Sequence, residues 1–181
     1  NNIPMVIKSC DSFPKSKNWI FILSDNYLNK YSAKKKLINK FPKSKIIIIN
    51  KSTKGQAITC LKAKNDIDKS KQLFIASCDY ETLYSHNKLN KLISDTTIDG
   101  IIWTFKLSNI LVKDFKSFAY CRTNKNKKIL EIVEKNIISN NPENDQMVVG
   151  SFWFRKPNDF FYAIDDSIKN NVALGKKENE I

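Results

Sequence analysis

The chain has 181 residues, 41% hydrophobic and 11% aromatic, which suffices for one domain with a sizeable core and excludes a disordered segment. Thirty-one Lys and Arg against eighteen Asp and Glu give a formal +13, which favours anionic partners such as nucleotides, phosphorylated substrates, nucleic acid or acidic lipid. Cys10, Cys60, Cys78 and Cys121 lie far apart with no C-x-x-C pair, which excludes a zinc knuckle or disulfide framework, and no apolar run approaches the ~20 residues of a membrane span.

In chain order, four short apolar, β-branched segments read as strands buried on both faces: Trp19 to Leu23, Ile46 to Ile49, Leu73 to Ala76 and Ile101 to Phe105. Helical spacing fills the intervals at Tyr31 to Phe41, Gln56 to Lys64 and His86 to Ile93, where Leu89, Leu92 and Ile93 form an i, i+3, i+4 stripe. Strands alternating with helices at this interval imply successive βαβ units. Beyond Phe105 the rhythm changes. Phe118 to Arg122 and Ile129 to Glu134 flank the polar turn Thr123 to Lys128 as a hairpin, Asn136 to Gln146 reads as an exposed loop, Met147 to Phe154 as a strand, and Asp159 to Ile168 as a helix with Pro157 near its start. There are no internal repeats, so a single continuous domain over 1–181 is expected.

The Lys excess is scattered among Asn and Ile, which describes solvated faces better than one nucleic-acid stripe. With no membrane span and no signal peptide, the expected location is the cytosol, without membrane insertion. The single His86 follows Tyr84 and Ser85 in a polar stretch and reads as an exposed residue at a helix start rather than a catalytic base.

In open α/β sheets ligands collect at the carboxyl ends of the strands. Three such places carry candidate chemistry. After Leu73 to Ala76 the chain runs into Ser77-Cys78-Asp79-Tyr80-Glu81, where Asp79 is either a Mg²⁺ ligand or a helix N-cap. After Ile46 to Ile49 comes Ser52-Thr53-Lys54-Gly55-Gln56-Ala57, where Gly55 would allow close approach of a flat base and the Gln56 amide can donate to and accept from a base edge; an ordinary turn needing positive φ is the plain alternative. At the end of the hairpin, Glu134 and Lys135 could grip a polyhydroxylated ligand and its phosphate, or form a surface ion pair.

The order of these elements resembles the sugar-phosphate nucleotidyltransferases, or nucleoside-diphosphate-sugar pyrophosphorylases, and looks closest to the bacterial capsule and surface-polysaccharide members. The steps that carry the resemblance are Ser77 to Asp79, Trp103 to Phe105, Ser117 to Ala119, Val133 to Lys135 and Ile138-Ser139, over about residues 3 to 165. The resemblance implies a Rossmann-like three-layer α/β/α fold with a mostly parallel mixed sheet, similar to the GT-A core. It implies that Asp79 binds catalytic Mg²⁺, that Gly55 and Gln56 contact the nucleobase, that Glu134 and Lys135 hold the acceptor's hydroxyls and phosphate, and that Ala119 and Gly150 line the acceptor pocket. The implied partners are a nucleoside triphosphate and a phosphorylated sugar or other phosphomonoester, with homo-oligomerisation allowed for and no nucleic acid.

The chain departs from the family at both ends. Its four glycines, at 55, 100, 150 and 175, leave nothing matching the family's Gly-rich loop; Pro4-Met5-Val6 resembles the segment just after it, and Asn179-Glu180-Ile181 falls about where a second metal ligand would stand. The expectation is therefore a portion of a longer protein, lacking the first strand and leaving a central sheet position unfilled. Two rivals stay open: a GT-A glycosyltransferase using Asp79-Tyr80-Glu81 as its acid-x-acid step, and a non-catalytic nucleotide- or nucleic-acid-binding module.

Overall fold

The computed structural model describes residues 3–28, 33–106, 118–141 and 145–173. Tyr31 and Ser32 of the first expected helix, Ser117, Pro142 and the Asn179-Glu180-Ile181 end lie outside them. The chain divides into two compact units, one of Asn1–Asp99 with Phe154–Ile181 and one of Gly100–Trp153.

In the first unit the order is α1 (Met5–Ser12), β1 (Ile20–Ser24), α2 (Asp25–Leu28), α3 (Ala33–Lys40), β2 (Lys45–Ile49), α4 (Gln56–Leu61), β3 (Leu73–Ile75), α5 (His86–Ser94) and, after the second unit, α6 (Pro157–Ala173). The helix α1 was not expected from the sequence. Pro4 presets the extended entry at φ −56° and ψ 141°, its carbonyl accepts from Ile7 N at 3.0 Å, and Ile7 and Cys10, one turn apart, are buried with Phe13. Strands β1 and β2 pair in parallel, Phe21 opposite Ile46 and Leu23 opposite Ile48.

Two apolar clusters show the layering of this unit. Ile7, Cys10, Phe13, Phe21 and Leu37 form one, joined by Phe74 and Ala76. Ile75, Phe160, Phe161 and Ile164 form the other, joined by Leu73 and by Ala57, Ile58 and Leu61 of α4. Because strand side chains alternate in direction, Phe74 and Ala76 face the helices α1 and α3 while Leu73 and Ile75 face α4 and α6. The four-residue apolar run Leu73 to Ala76 thus reflects burial on both sides, and the fold is α/β with helices on both faces.

The second unit holds β4 (Gly100–Phe105), β5 (Ala119–Thr123), β6 (Ile129–Glu134) and β7, whose span is Gln146–Phe154. Strand β5 pairs antiparallel with both β6 and β7, and β4 pairs with β7. The expected hairpin is present. Its turn is closed by Asn124, whose side-chain Oδ1 accepts from Asn126 N at 2.9 Å and Lys128 N at 3.0 Å, and Lys127 takes φ 62°. A bulge between Arg122 and Thr123 precedes the turn. The sheet strands are therefore mixed, parallel at β1–β2 and antiparallel around β5. The antiparallel share exceeds what the apolar runs suggested, because a short connection such as Thr123 to Lys128 can join only antiparallel neighbours. Tyr120, Met147 and Ser151 are fully buried here, with Cys121 and Trp153 nearly so.

Candidate functional site

The residues expected on the nucleotide side belong to the first unit. Gly55 ends the loop after β2 and precedes α4, at φ 101° and ψ 172°, a conformation essentially restricted to glycine. The turn reading of Gly55 is thus correct in its backbone requirement. Its carbonyl accepts from Thr59 N at 3.2 Å, from Thr59 Oγ1 at 2.9 Å and from Thr53 Oγ1 at 3.2 Å. The Thr53 and Thr59 hydroxyls also hydrogen-bond each other. Gln56 is the first residue of α4 and half-buried.

Asp79 stands in the bend that follows β3 and is exposed. It is not a helix cap. The helix α5 begins seven residues later at His86, and Ser85 caps it by accepting from Lys88 N at 3.4 Å. His86 is exposed at that helix start, as its polar neighbourhood implied.

The bend is tied to α1 through Ser12. Its hydroxyl accepts from Thr82 N at 3.0 Å and donates to Ser9 O at 2.7 Å, using its one proton and a lone pair. Below it, Phe13 and Phe74 pack with ring centroids 5.3 Å apart. Burial, then the charge of Asp11 and the neighbouring Cys78, push the Cys10 thiol up to about 12. Burial also raises Cys78 and Tyr80; Asp79 adds to both, while a Ser77 hydrogen bond opposes the shift of Tyr80. Beside these groups Asp79 is an exposed hard oxygen donor, followed at Glu81 by a second exposed carboxylate. Among the described residues no three His, Cys, Asp or Glu side chains come together as a metal cluster. A single strand-end carboxylate suits Mg²⁺, which takes one or two carboxylates and completes its shell with water and substrate phosphates.

The residues expected on the acceptor side belong to the second unit, and the structure brings three of them together. Ala119 and Glu134 are direct partners in the β5–β6 register, so their side chains share a face. Lys135 N donates to Phe118 O at 3.0 Å, and Lys135 takes φ 54°, turning the chain out of β6. Glu134 and Lys135 are both exposed. Strand β7 runs from Gln146, opposite Cys121, past Met147, opposite Tyr120, toward the Ala119 end. Gly150 lies three residues farther on, at φ 83°.

Sequence reasoning placed Thr53 in the candidate turn without a role for it, and missed Thr59, Ser12 and Thr82. A hydroxyl four residues after Gly55 was the available signal for Thr59. For Ser12 and Thr82, seventy residues apart, there was none.

The chain has an α/β fold of the Rossmann-like class. The same fold is found in the nucleoside-diphosphate-sugar pyrophosphorylase of Vibrio cholerae RC9, where 98% of this chain matches 70% of that one at TM-score 0.70 and 17% identity. It recurs in the inositol-1-phosphate CTP transferase of T. maritima, over 86% of this chain and 59% of that one at TM-score 0.64 and 16% identity. A Bacillus anthracis protein assigned as a glucose-1-phosphate thymidylyltransferase matches over 87% and 58%, at TM-score 0.61 and 14% identity. This chain spans less than two thirds of the latter two. No family model and no curated protein sequence matches it. The likeness is one of fold.

Proposed function

We propose that this chain carries the core of a nucleotidyltransferase that moves a nucleoside monophosphate from a triphosphate to a sugar phosphate or similar small phosphomonoester. The observation that carries the reading is the fold shared with the Vibrio cholerae pyrophosphorylase over 98% of the chain. The exposed strand-end carboxylate of Asp79 adds to it. In this reading both units belong to one functional domain, the first serving the nucleotide and the second the acceptor.

An oxygen of the acceptor phosphate attacks the α-phosphorus, the bond to the bridging oxygen breaks, and pyrophosphate leaves with its electron pair. No covalent nucleophile on the protein is needed, so the protein's work is positioning and charge neutralisation. Gly55 lets the base approach the backbone and Gln56 reads its edge. Asp79 would hold Mg²⁺, which when bound would neutralise charge on the phosphates. Glu134 accepts hydrogen bonds from acceptor hydroxyls, Lys135 meets its phosphate as a point charge, and Ala119 and Gly150 leave room for it. The T. maritima neighbour is named for inositol-1-phosphate, which supports an acceptor class wider than sugars.

Further elements of the proposal are a place in capsule or surface-polysaccharide synthesis, a cytoplasmic location and homo-oligomerisation. Among the described residues no helix is long and apolar enough to cross a membrane. The test is a pyrophosphate-release screen of the full-length protein, pairing each of the four triphosphates with a panel of phosphorylated acceptors. Mg²⁺-dependent release with one pair is expected. Transfer of a glycosyl group from a nucleotide sugar, with no release in any pair, would instead favour the glycosyltransferase. Asp79→Asn should lower turnover on the order of a hundredfold or more with the circular dichroism spectrum unchanged, since the side chain is exposed; undiminished turnover would remove Asp79 from the mechanism.

A further inference from the structure

We infer that Thr53 and Thr59 are positioning residues for nucleobase selection, holding the Gly55–Gln56 turn in a single backbone geometry; this rests on the nucleotidyltransferase reading above. A glycine at φ 101° and ψ 172° occupies a region that only glycine uses, and the freedom that lets it reach that region also lets it leave. Something must therefore fix the Gly55–Gln56 peptide if Gln56 is to meet a base reproducibly.

The Gly55 carbonyl is where that fixing occurs. A carbonyl oxygen has two lone pairs, and a hydroxyl has one proton and two lone pairs. The contacts are satisfied together when Thr59 N–H and the Thr59 hydroxyl donate to the carbonyl and the Thr53 hydroxyl donates to Thr59 Oγ1. Thr53 Oγ1 lies 3.2 Å from the same carbonyl, so it remains an alternative donor to it. Bonding of a helical Thr to the carbonyl four residues back is a common local habit. Local habit does not supply Thr53, which sits outside the helix on the strand side of the turn. The pair of hydroxyls spans Gly55, tying the loop after β2 to the first turn of α4.

The consequence is specific to nucleotide recognition. An amide reading a base edge needs its donor and acceptor held to within about half an ångström. Loosening the peptide that carries Gln56 weakens ground state and transition state alike, which raises KM and leaves kcat nearly unchanged.

The experiment measures pyrophosphate release by the full-length protein, with KM determined separately for the triphosphate and the acceptor. Thr59→Val keeps the side-chain shape and removes the donor; Thr53→Val does the same outside the helix. For each, KM for the triphosphate should rise roughly three- to tenfold, the worth of one hydrogen bond. The acceptor's KM and kcat should stay within about twofold, since the interaction lost is uniform binding. Thr59→Ser should restore the wild-type values. The double variant should lose less than the product of the two single effects, because both act on one carbonyl. Amide exchange at Ala57 and Ile58 should quicken in both valine variants.

If Thr59→Val lowers the melting temperature markedly, Thr53→Val and the Ser variant decide the matter. Active wild-type enzyme whose valine variants keep the triphosphate KM and the exchange rates overturns the positioning role alone. Wild-type protein that releases no pyrophosphate with any triphosphate overturns the reaction reading, and the positioning role falls with it.

Discussion

Lys135 carries two demands that oppose each other. At φ 54° its backbone sits in the left-handed region, which costs a non-glycine residue roughly 1 kcal/mol. Its ammonium is proposed to meet the acceptor's phosphate. Lys135→Gly separates the two. The variant is expected to be more stable in urea by up to about 1 kcal/mol, while KM for the acceptor rises on the order of tenfold and KM for the triphosphate holds. If the triphosphate KM rises instead, Lys135 serves the other substrate. The Glu-Lys step at a strand end was legible as letters, but the positive φ that turns the chain there was not, because Lys carries no local signal for it. Gly55 was the reverse case: a glycine between a strand and a helix announces its φ, while the two threonines that hold it are recognised only once their hydroxyls are seen on one carbonyl.

At the level of elements, the end of α5 is held by a residue from the far side of the sequence. The Arg155 guanidinium donates to Ile98 O at 2.7 Å, Ile93 O at 3.0 Å and Asp95 O at 2.6 Å, and Arg155 N donates to Asp99 O at 2.8 Å. These are carbonyls at and beyond a helix C-terminus, which have no partner within the helix. Arg155→Ala should cost about 2–3 kcal/mol in a denaturant titration, and Arg155→Lys should recover only part of it, because an ammonium lacks the planar fork.

Asp95 at the same place is held below the ordinary carboxylate range, first by the Thr97 hydroxyl at 2.7 Å and the Thr97 N–H at 2.9 Å, and further by Arg155. A depressed folded-state pKa means that the stabilisation is present above the unfolded value and is lost as pH falls through the folded one. The stability gap between wild type and Asp95→Ala should therefore be constant from neutrality to mild acid and should close below about pH 4; a gap that closes near neutrality instead would assign it to another group. The α5 stripe and its polar start were legible in the sequence. The Arg155 anchor was not, since it depends on the chain returning after the second unit.

For the molecule as a whole, stability of the first unit rests on the layer that α1 and α3 form over β1, β2 and β3. Leu37 is fully buried within it. Truncating it to Ala should cost about 2–5 kcal/mol in a urea titration followed by Trp19 fluorescence, and a cost within experimental error would mean that this cluster does not hold the unit together.

The sequence by itself determined the α/β class, the first four strands, the hairpin and the residues standing at each strand's carboxyl end, because two-sided burial, polar turns and helical spacing are local demands written in adjacent letters. Only the tertiary structure decided that α1 packs with α3 against the strands, that Ser12 braces the Asp79 bend through Thr82, that Ser85 rather than Asp79 caps α5, and that Ala119 faces Glu134. Those outcomes depend on partners brought close by packing, and a hydrogen bond between residues seventy positions apart leaves no periodicity for a reader of the chain to find.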